Sequence, residues 1–172
     1  VYAALIVQTR FAGLLDQIQL VIDENGIRFD FAAVTQAFHD RIAANAAQGM
    51  SDLIEFNRYA GNMLLGMGWG GLEMMEGYMR TLPVSAELQA VYDEFNVSVD
   101  GQAGFTGRGD AAGDIIVAGA GDNTLYGGSG DDVLFGGDGA DAFCAGDGDD
   151  ILSGGAGNDF LAGENGSDTY LF

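Results

Sequence analysis

The sequence predicts an α + β chain, in which a mainly α-helical N-terminal domain precedes a parallel two-sheet β-helix of nonapeptide repeats. Apolar residues recur at helical spacing through the first part of the chain. A nine-residue phrase then repeats seven times in a single frame. The composition changes between the two parts, since 20 of the 29 glycines lie in residues 101–172. We therefore expect a helical domain at residues 1–100, a linker at 101–108 and the repeat domain at 109–172.

The charge of the chain limits its partners. It has 26 acidic residues against 6 basic ones, all of them Arg, and a formal net charge of −20. Nucleic acids require a basic surface, and anionic membranes attract one. The composition therefore favours cations as partners, or simply solubility, and argues against nucleic acid.

Cysteine content and hydropathy argue against a disulfide framework and a membrane-spanning segment. Cys144 is the only cysteine, so a disulfide framework is excluded. No segment reaches the ~18 consecutive apolar residues of a membrane span. The chain begins with Val, and we expect it to be a piece of a longer protein.

The first hundred residues read as short helices around one β-hairpin. The hairpin is predicted near residues 18–30, because Asn25-Gly26 is typical of a type I′ turn between two alternating apolar runs. The predicted helices cover residues 2–17, Asp30 to Gly49, Ser51 to Gly68, 72–81, and Ser85 onward. The residues expected to face inward are Phe31, Val34, Phe38, Ile42, Leu53, Phe56, Ala60, Met63, Leu64, Met67, Leu88, Val91, Tyr92 and Phe95.

Functional candidates in this half are few. Asp23, Asn25 and Asp30 have part of the spacing of an EF-hand, but its twelfth position is Val34 instead of Glu, so we prefer the hairpin. His39 is the only histidine, which excludes a His-based zinc site, and we interpret it as a surface or boundary residue.

Six methionines in this half leave two interpretations open. They pack in a core of short helices or form an adaptable binding surface, and we favour packing. We find no catalytic or phosphate-binding motif and predict no enzyme activity. The methionines are Met50, Met63, Met67, Met74, Met75 and Met79.

The repeats begin at Gly109 and keep their frame through residue 171. Each unit has glycines in its first half, an acidic or amide residue at position six and an apolar residue at position eight. The sixth-position residues are Asp114, Asn123, Asp132, Asp141, Asp150, Asp159 and Asp168. The eighth-position residues are Ile116, Leu125, Leu134, Phe143, Leu152, Leu161 and Tyr170.

A period of nine suits a turn of about six residues followed by a strand of three. Two units then form one coil, with a strand on each side, and stacked coils form two parallel sheets. The eighth-position residues meet between the sheets as a thin core, while the glycines permit positive φ in the turns. Sixth-position residues of every second unit lie above one another.

Such a core is too thin to stabilise the coils alone, and the stacked Asp side chains repel each other. A cation bound between them supplies what is missing. Oxygen-only ligands favour Ca²⁺, whereas softer metals prefer His or Cys. Five sites are expected, between Asp114/Asp132, Asn123/Asp141, Asp132/Asp150, Asp141/Asp159 and Asp150/Asp168. The alternative is a disordered acidic linker, which needs no fixed period; without calcium we expect disorder.

The units GGSGDDVLF, GGDGADAFC, AGDGDDILS and GGAGNDFLA match GGxGxDxUx, where U is a large apolar residue. This phrase resembles the repeat of the RTX (repeats-in-toxin), or hemolysin-type calcium-binding, family. The resemblance implies a parallel β-roll, type I secretion and folding triggered by calcium outside the cell. It also implies that carbonyl groups of the early turn residues join the sixth-position side chains as ligands. These residues are Gly109, Ala112, Gly119, Gly121, Gly127, Gly128, Gly130, Gly136, Gly137, Gly139, Gly146, Gly148, Gly154, Gly155, Gly157, Gly163 and Gly166.

Several units depart from the repeat. Asn123 lacks the charge of Asp, so its site is expected to be weaker, and Glu164-Asn165 puts the last turn in doubt. Alanine replaces glycine at Ala112, Ala118 and Ala145.

Residues 1–108 are similar to the helical block that precedes repeats in very large secreted RTX proteins, on the strength of LIVQTRF, IDENGIRFDF, DLIEFNRYAG and GWGGLEMMEGYM. We expect a calcium-binding module of a secreted, toxin-related protein with a helical cap over the first coil. The alternative makes the helical block an adhesive or effector domain, or part of a secreted hydrolase, with the roll as export scaffold.

Overall fold

The computed structural model describes residues 10–24 and 26–172. They divide into two compact units, the first ending at Tyr78 and including Val84–Val91, the second formed by Met79–Pro83 and Tyr92–Phe172. The first part of the helix predicted at residues 2–17 lies outside the described residues. No helix in the described ranges is long and apolar enough to cross a membrane.

The helices confirm the predicted α-helical character of the first hundred residues. The last two match the predictions for residues 72–81 and from Ser85, whose hydroxyl accepts a hydrogen bond from the Leu88 amide at 3.2 Å. The helices are α1 Ala12–Leu15, α2 Ala32–Ala44, α3 Ala46–Phe56, a π-helical turn Asn57–Gly61, α4 Asn62–Leu65, α5 Gly71–Thr81 and α6 Ala86–Glu94.

The predicted boundary between the second and third helices is wrong. Helix α2 ends at Ala44, because Asn45 is extended and caps α3 by accepting a hydrogen bond from the Gln48 amide at 3.0 Å. Ser51 therefore lies inside α3 instead of capping it. Gly49 is also helical, and a Cβ there would lie 2.6 Å from the backbone of Ile42, so the glycine permits close approach of α2 and α3.

The core of the first unit is aromatic. Phe56 contacts Phe11, Phe38 and Trp69 with ring centroids 5.3–5.5 Å apart. Most residues expected to face inward are buried, but Met63 and Met67 are 60% and 39% exposed. Met50, Met75 and Met79 are buried. Some of the methionines therefore pack in the core, whereas Met63 and Met67 lie at the surface.

The predicted hairpin is confirmed. Strand β1 (Gln19–Asp23) pairs antiparallel with β2 (Gly26–Asp30), and Gly26 has a φ of +115°. Four of its five apolar side chains are exposed, and they lie on one face of the ribbon. They are Leu20, Ile22, Ile27 and Phe29.

The repeats form the predicted two parallel sheets. One sheet has the order β10-β8-β6-β4 and the other β11-β9-β7-β5-β3, and each pair, such as Ile115↔Val133, joins residues 18 apart. The strands are β3 Val97–Val99, β4 Thr106–Arg108, β5 Ile115–Val117, β6 Thr124–Ser129, β7 Val133–Asp138, β8 Ala142–Asp147, β9 Ile151–Ala156, β10 Phe160–Asn165 and β11 Thr169–Leu171.

Two details differ from the sequence prediction. Strands β6 to β10 are six residues long instead of three, because pairing resumes beyond the corner of each coil, as in Gly137↔Gly155. Strands β3 and β4 precede the first repeat, within residues that the sequence assigned to the helical domain and the linker.

The core between the sheets consists of the eighth-position residues, as predicted, together with Ala118 and Ala145. It weakens toward the last coil, where Leu161 is partly buried and Tyr170 is 39% exposed. Its fully buried members at position eight are Ile116, Leu125, Leu134, Phe143 and Leu152.

Candidate metal centre

The sixth-position side chains form two columns along the turns of the roll. Strand register places residues 18 apart in neighbouring coils, so Asp114, Asp132, Asp150 and Asp168 lie on one side and Asn123, Asp141 and Asp159 on the other. Asp132, Asp141 and Asp150 are only 1–2% exposed, whereas Asp159 and Asp168 are half-buried.

One carboxylate oxygen of Asp132, Asp141 and Asp150 accepts a hydrogen bond from the backbone of the neighbouring coil. Asp132 Oδ1 accepts a hydrogen bond from the Asp114 amide at 2.7 Å, and Asp150 Oδ1 accepts one from the Asp132 amide at 2.8 Å. On the other side, Asp141 Oδ1 accepts one from the Asn123 amide at 2.8 Å. These hydrogen bonds form a ladder between coils. The ladder explains why a residue with a short side chain and an acceptor oxygen recurs at position six.

The second oxygen has no protein partner in the middle of each column. The Oδ2 atoms of Asp132, Asp141 and Asp150 are buried and accept no hydrogen bond. Burial of an ionised carboxylate without a partner costs several kcal/mol, on the order of 2–7 even for a neutral polar group. The three carboxylates therefore require a cation or a proton.

The pKa values of these three carboxyl groups are raised, which also indicates that their negative charge is unfavourable without a cation. Burial, helped by the charges of Asp150, Asp114 and Asp131, raises the pKa of Asp132 to about 7 although the hydrogen bond from the Asp114 amide lowers it. Burial likewise raises the pKa of Asp141 and that of Asp150.

A backbone carbonyl approaches the same position as each free oxygen. A Cβ placed on Gly136 would collide with Asp141 Oδ2 and lie 2.6 Å from the carbonyl oxygen of Gly154. A Cβ on Gly127 would collide with Asp132 Oδ2 and with the carbonyl oxygen of Ala145. A first-position carbonyl of the next coil is therefore a ligand candidate beside each of these Asp residues.

Ala145 was not among the carbonyl ligand candidates from the sequence, which were all glycines except Ala112. A carbonyl group is present whichever residue occupies the position, so the frame of the repeat was the signal that would have found it.

Asn123 shows which other carbonyls surround a sixth-position side chain. Its Nδ2 donates hydrogen bonds to the carbonyl oxygens of Gly121 at 2.6 Å and Gly119 at 3.1 Å, both in its own turn. It also lies 3.4 Å from the carbonyl oxygen of Gly136 in the next coil. In the repeat frame, Gly119, Gly121 and Gly136 occupy positions two, four and one. The Asn123 side chain therefore meets three carbonyl oxygens.

Positive φ occurs at turn positions two and four of most units, although not at Gly119. Nearly all residues there are glycine, but Glu164 adopts a φ of +72° in the last unit, so the turn questioned from the sequence keeps its left-handed backbone. The glycines with positive φ are Gly121, Gly128, Gly130, Gly137, Gly139, Gly146, Gly148, Gly155, Gly157 and Gly166.

The donor set fits a hard cation. Carboxylate and carbonyl oxygens are what Ca²⁺ prefers, in sets of six to eight. Within residues 10–24 and 26–172, no group of three or more His, Cys, Asp or Glu side chains is placed to hold a metal ion. Cys144 is a half-buried free thiol, and His39 Nδ1 hydrogen-bonds the hydroxyl of Tyr78 in the helical unit.

Stacked coils, two Asp columns and converging carbonyls together define a calcium-binding parallel β-roll. Comparison with protein families agrees: residues 108–143 and 145–170 match the RTX calcium-binding nonapeptide repeat in four copies. This part of the chain therefore consists of RTX calcium-binding nonapeptide repeats. Searches of curated proteins and of solved structures found no match to the chain.

Formation of the roll is expected to depend on pH in opposite directions with and without calcium. The pKa of Asp132 is about 7 in the fold and about 3.9 in the unfolded chain. Without calcium, protonation of Asp132 favours the fold below about pH 4, and this contribution is lost as the pH rises through about 7. With calcium, the cation must displace the proton, so the calcium midpoint should be higher at about pH 6 than at about pH 8. Far-UV circular dichroism titrations at both pH values check this, and equal midpoints would contradict it.

Proposed function

We propose that the chain is a calcium-responsive module of a larger secreted protein. Its β-roll assembles on Ca²⁺ binding outside the cell, and the module itself carries no catalysis. The observation that carries the proposal is the set of buried, unpartnered Oδ2 atoms on Asp132, Asp141 and Asp150. A fold that buries such groups is favoured only when a cation or a proton neutralises them, and at neutral to alkaline pH the cation does so.

The charge distribution supports coupling between calcium and folding. Residues 101–172 carry 13 acidic residues and one Arg, so the coils repel each other until cations bind. Binding to the folded roll alone then adds RT ln(1 + [L]/Kd) per site to its stability. Extracellular calcium modules have a Kd of ~10⁻⁴–10⁻³ M, a range in which folding follows entry into a calcium-rich compartment.

Type I secretion and the extracellular location rest on the RTX repeats, whose family resemblance implies both. In this proposal the low calcium of the cell interior keeps the repeats unfolded for export, and calcium outside the cell closes the roll. The helical unit acts as a cap on the first coil.

The test is far-UV circular dichroism of the whole chain titrated with Ca²⁺, with Mg²⁺ as control. We expect β signal to appear cooperatively with Ca²⁺ and not with Mg²⁺, because Mg²⁺ demands octahedral geometry and dehydrates reluctantly. A helical signal that rises in parallel supports the cap, whereas a constant helical background contradicts it. No change up to about 10 mM Ca²⁺, beyond the weakest extracellular sites, would overturn the proposal.

A second candidate function makes the helical unit an adhesive or effector surface. It is favoured by the exposed apolar face of the hairpin, where Ile22 and Ile27 are 71% and 72% exposed and Leu20 lies on the same face. Trp69 is only 2% exposed, so it contributes nothing to such a surface. Capture of one defined partner by the whole chain, abolished by I22D/I27D, would support this candidate.

A further inference from the structure

The first coil of repeats, residues 109–126, differs from the coils that follow it in the hydrogen-bond partners of its sixth-position side chains. In the turns of Asp132, Asp141 and Asp150, the Oδ2 atom of the sixth-position Asp is buried and has no protein partner. In both turns of the first coil, the corresponding atom already has one.

Asn123 lies in the second of these turns and places an amide donor where later turns have a carboxylate acceptor. Its Oδ1 accepts a hydrogen bond from the Phe105 amide at 2.9 Å, as the Asp Oδ1 atoms do in later coils. Its Nδ2 takes the place of Oδ2 and donates to the turn carbonyls of Gly119 and Gly121. Those carbonyls are therefore engaged by the amide, and the turn lacks the negative charge that attracts a cation.

Asp114 keeps its carboxylate, but a backbone amide satisfies it. The amide of Asp110 donates a hydrogen bond to Asp114 Oδ2 at 2.9 Å. Asp110 and Ala112 stand at positions two and four, where later turns have glycine, and φ is positive at neither. Asp110 Oδ1 also accepts from the Ala112 amide at 2.8 Å, which closes a local turn of different shape.

A third protein donor reaches the same end of the roll. Arg80, which belongs to the second compact unit, donates a hydrogen bond to the carbonyl oxygen of Ala118. Ala118 is a first-position residue, and the equivalent carbonyls of Ala145 and Gly154 lie beside the free Asp oxygens of later turns. A guanidinium group thus contacts the type of carbonyl that elsewhere approaches a carboxylate.

We propose that the two turns of the first coil bind no calcium and that the roll takes up three ions, at the turns of Asp132, Asp141 and Asp150. The inference rests on the proposed calcium binding of the later turns. It replaces the five sites expected from the sequence, because Asp114 Oδ2 and the Asn123 amide already have protein partners in this fold. Side-chain and backbone donors take the place of metal ions where the repeats begin.

Native mass spectrometry of the whole chain in calcium measures the number of specifically bound ions. We expect three for the wild type, four for Asn123→Asp, which restores the carboxylate, and two for Asp141→Asn, which copies Asn123 into the next coil. Circular dichroism in saturating calcium shows whether each variant folds.

The outcomes separate the two proposals. Four or five ions on the wild type, or three on a folded Asn123→Asp variant, overturn the inference and leave calcium binding intact. If Asn123→Asp fails to fold, the wild-type count and the loss of one ion in Asp141→Asn decide. No specific ion on the wild type would instead overturn the proposed function.

Discussion

Replacing Asp132 by Asn is expected to remove one bound calcium ion and to raise the calcium concentration at which the roll folds. Asn keeps the Oδ1 acceptor for the Asp114 amide, so the ladder between coils survives. It replaces the buried, unpartnered Oδ2 by an amide group, which repels a cation and donates to carbonyls as Asn123 does.

The size of the effect follows from binding linkage. At about 10 mM calcium, a site with a Kd of ~10⁻⁴–10⁻³ M stabilises the folded roll by about 1.4–2.7 kcal/mol. Asp132→Asn should lose that amount of calcium-dependent stability. Without calcium the variant should be more stable than the wild type, because it buries no carboxylate whose pKa is raised. Urea denaturation at about 10 mM calcium measures the first difference. Far-UV circular dichroism without calcium shows whether the variant has more β signal than the wild type.

The matched control is the neighbouring Asp131→Asn. Asp131 is exposed, and its Oδ1 accepts a hydrogen bond from the Asp149 amide at 2.9 Å, which Asn preserves. Both variants remove one negative charge, so a general charge effect would change them equally. Equal loss of calcium-dependent stability in the two variants would show that Asp132 holds no ion.

The architecture of the repeats was predictable because one period controls several properties at once. The frame from Gly109 places Asp132, Leu134 and their equivalents at fixed offsets, and backbone pairing then requires residues 18 apart to stack. The core follows from the same frame, since Leu125 and Phe143 occupy position eight. A period of nine permits few other structures.

The parts that were missed lack such a repeated signal. Strands β3 and β4 have no Gly-x-Asp phrase and join the sheets through Val97 and Thr106, whose only sequence signal is β-branching. The cap of α3 was assigned to Ser51 although Asn45 performs it, because both residue types favour caps and short helices give few periods to distinguish them.

For the calcium ligands, too, the repeated residues were predictable and the features without a repeated signal were not. The side-chain candidates of the middle turns were accessible from the sequence, since a carboxylate must come from Asp132, Asp141 or Asp150. The number of sites was not. Asp114 Oδ2 accepts a hydrogen bond from the Asp110 amide, in a turn where φ at Asp110 is not positive. Backbone direction of this kind is a property of the folded turn.

Gly148→Ala is expected to prevent or severely weaken formation of the roll. Gly148 has a φ of +145°, which L side chains rarely adopt, and strain of this kind costs about 1–3 kcal/mol. Its Cβ would collide with the carbonyl oxygen of Gly130 and lie 2.6 Å from that carbonyl carbon, in the coil stacked beneath it. Overpacking adds about 1–3 kcal/mol, and backbone atoms give way less readily than a flexible side chain.

The combined loss of about 2–6 kcal/mol equals the contribution of one to several calcium ions, since each adds about 1.4–2.7 kcal/mol at about 10 mM. The calcium titration by circular dichroism should therefore shift to much higher concentration or show no transition. Gly101→Ala is the matched control, because a Cβ at Gly101 meets no atom within 4 Å and its φ is not left-handed. Because the clash requires Gly148 to lie directly over Gly130, a wild-type midpoint for Gly148→Ala would mean that the coils are not stacked in an 18-residue register.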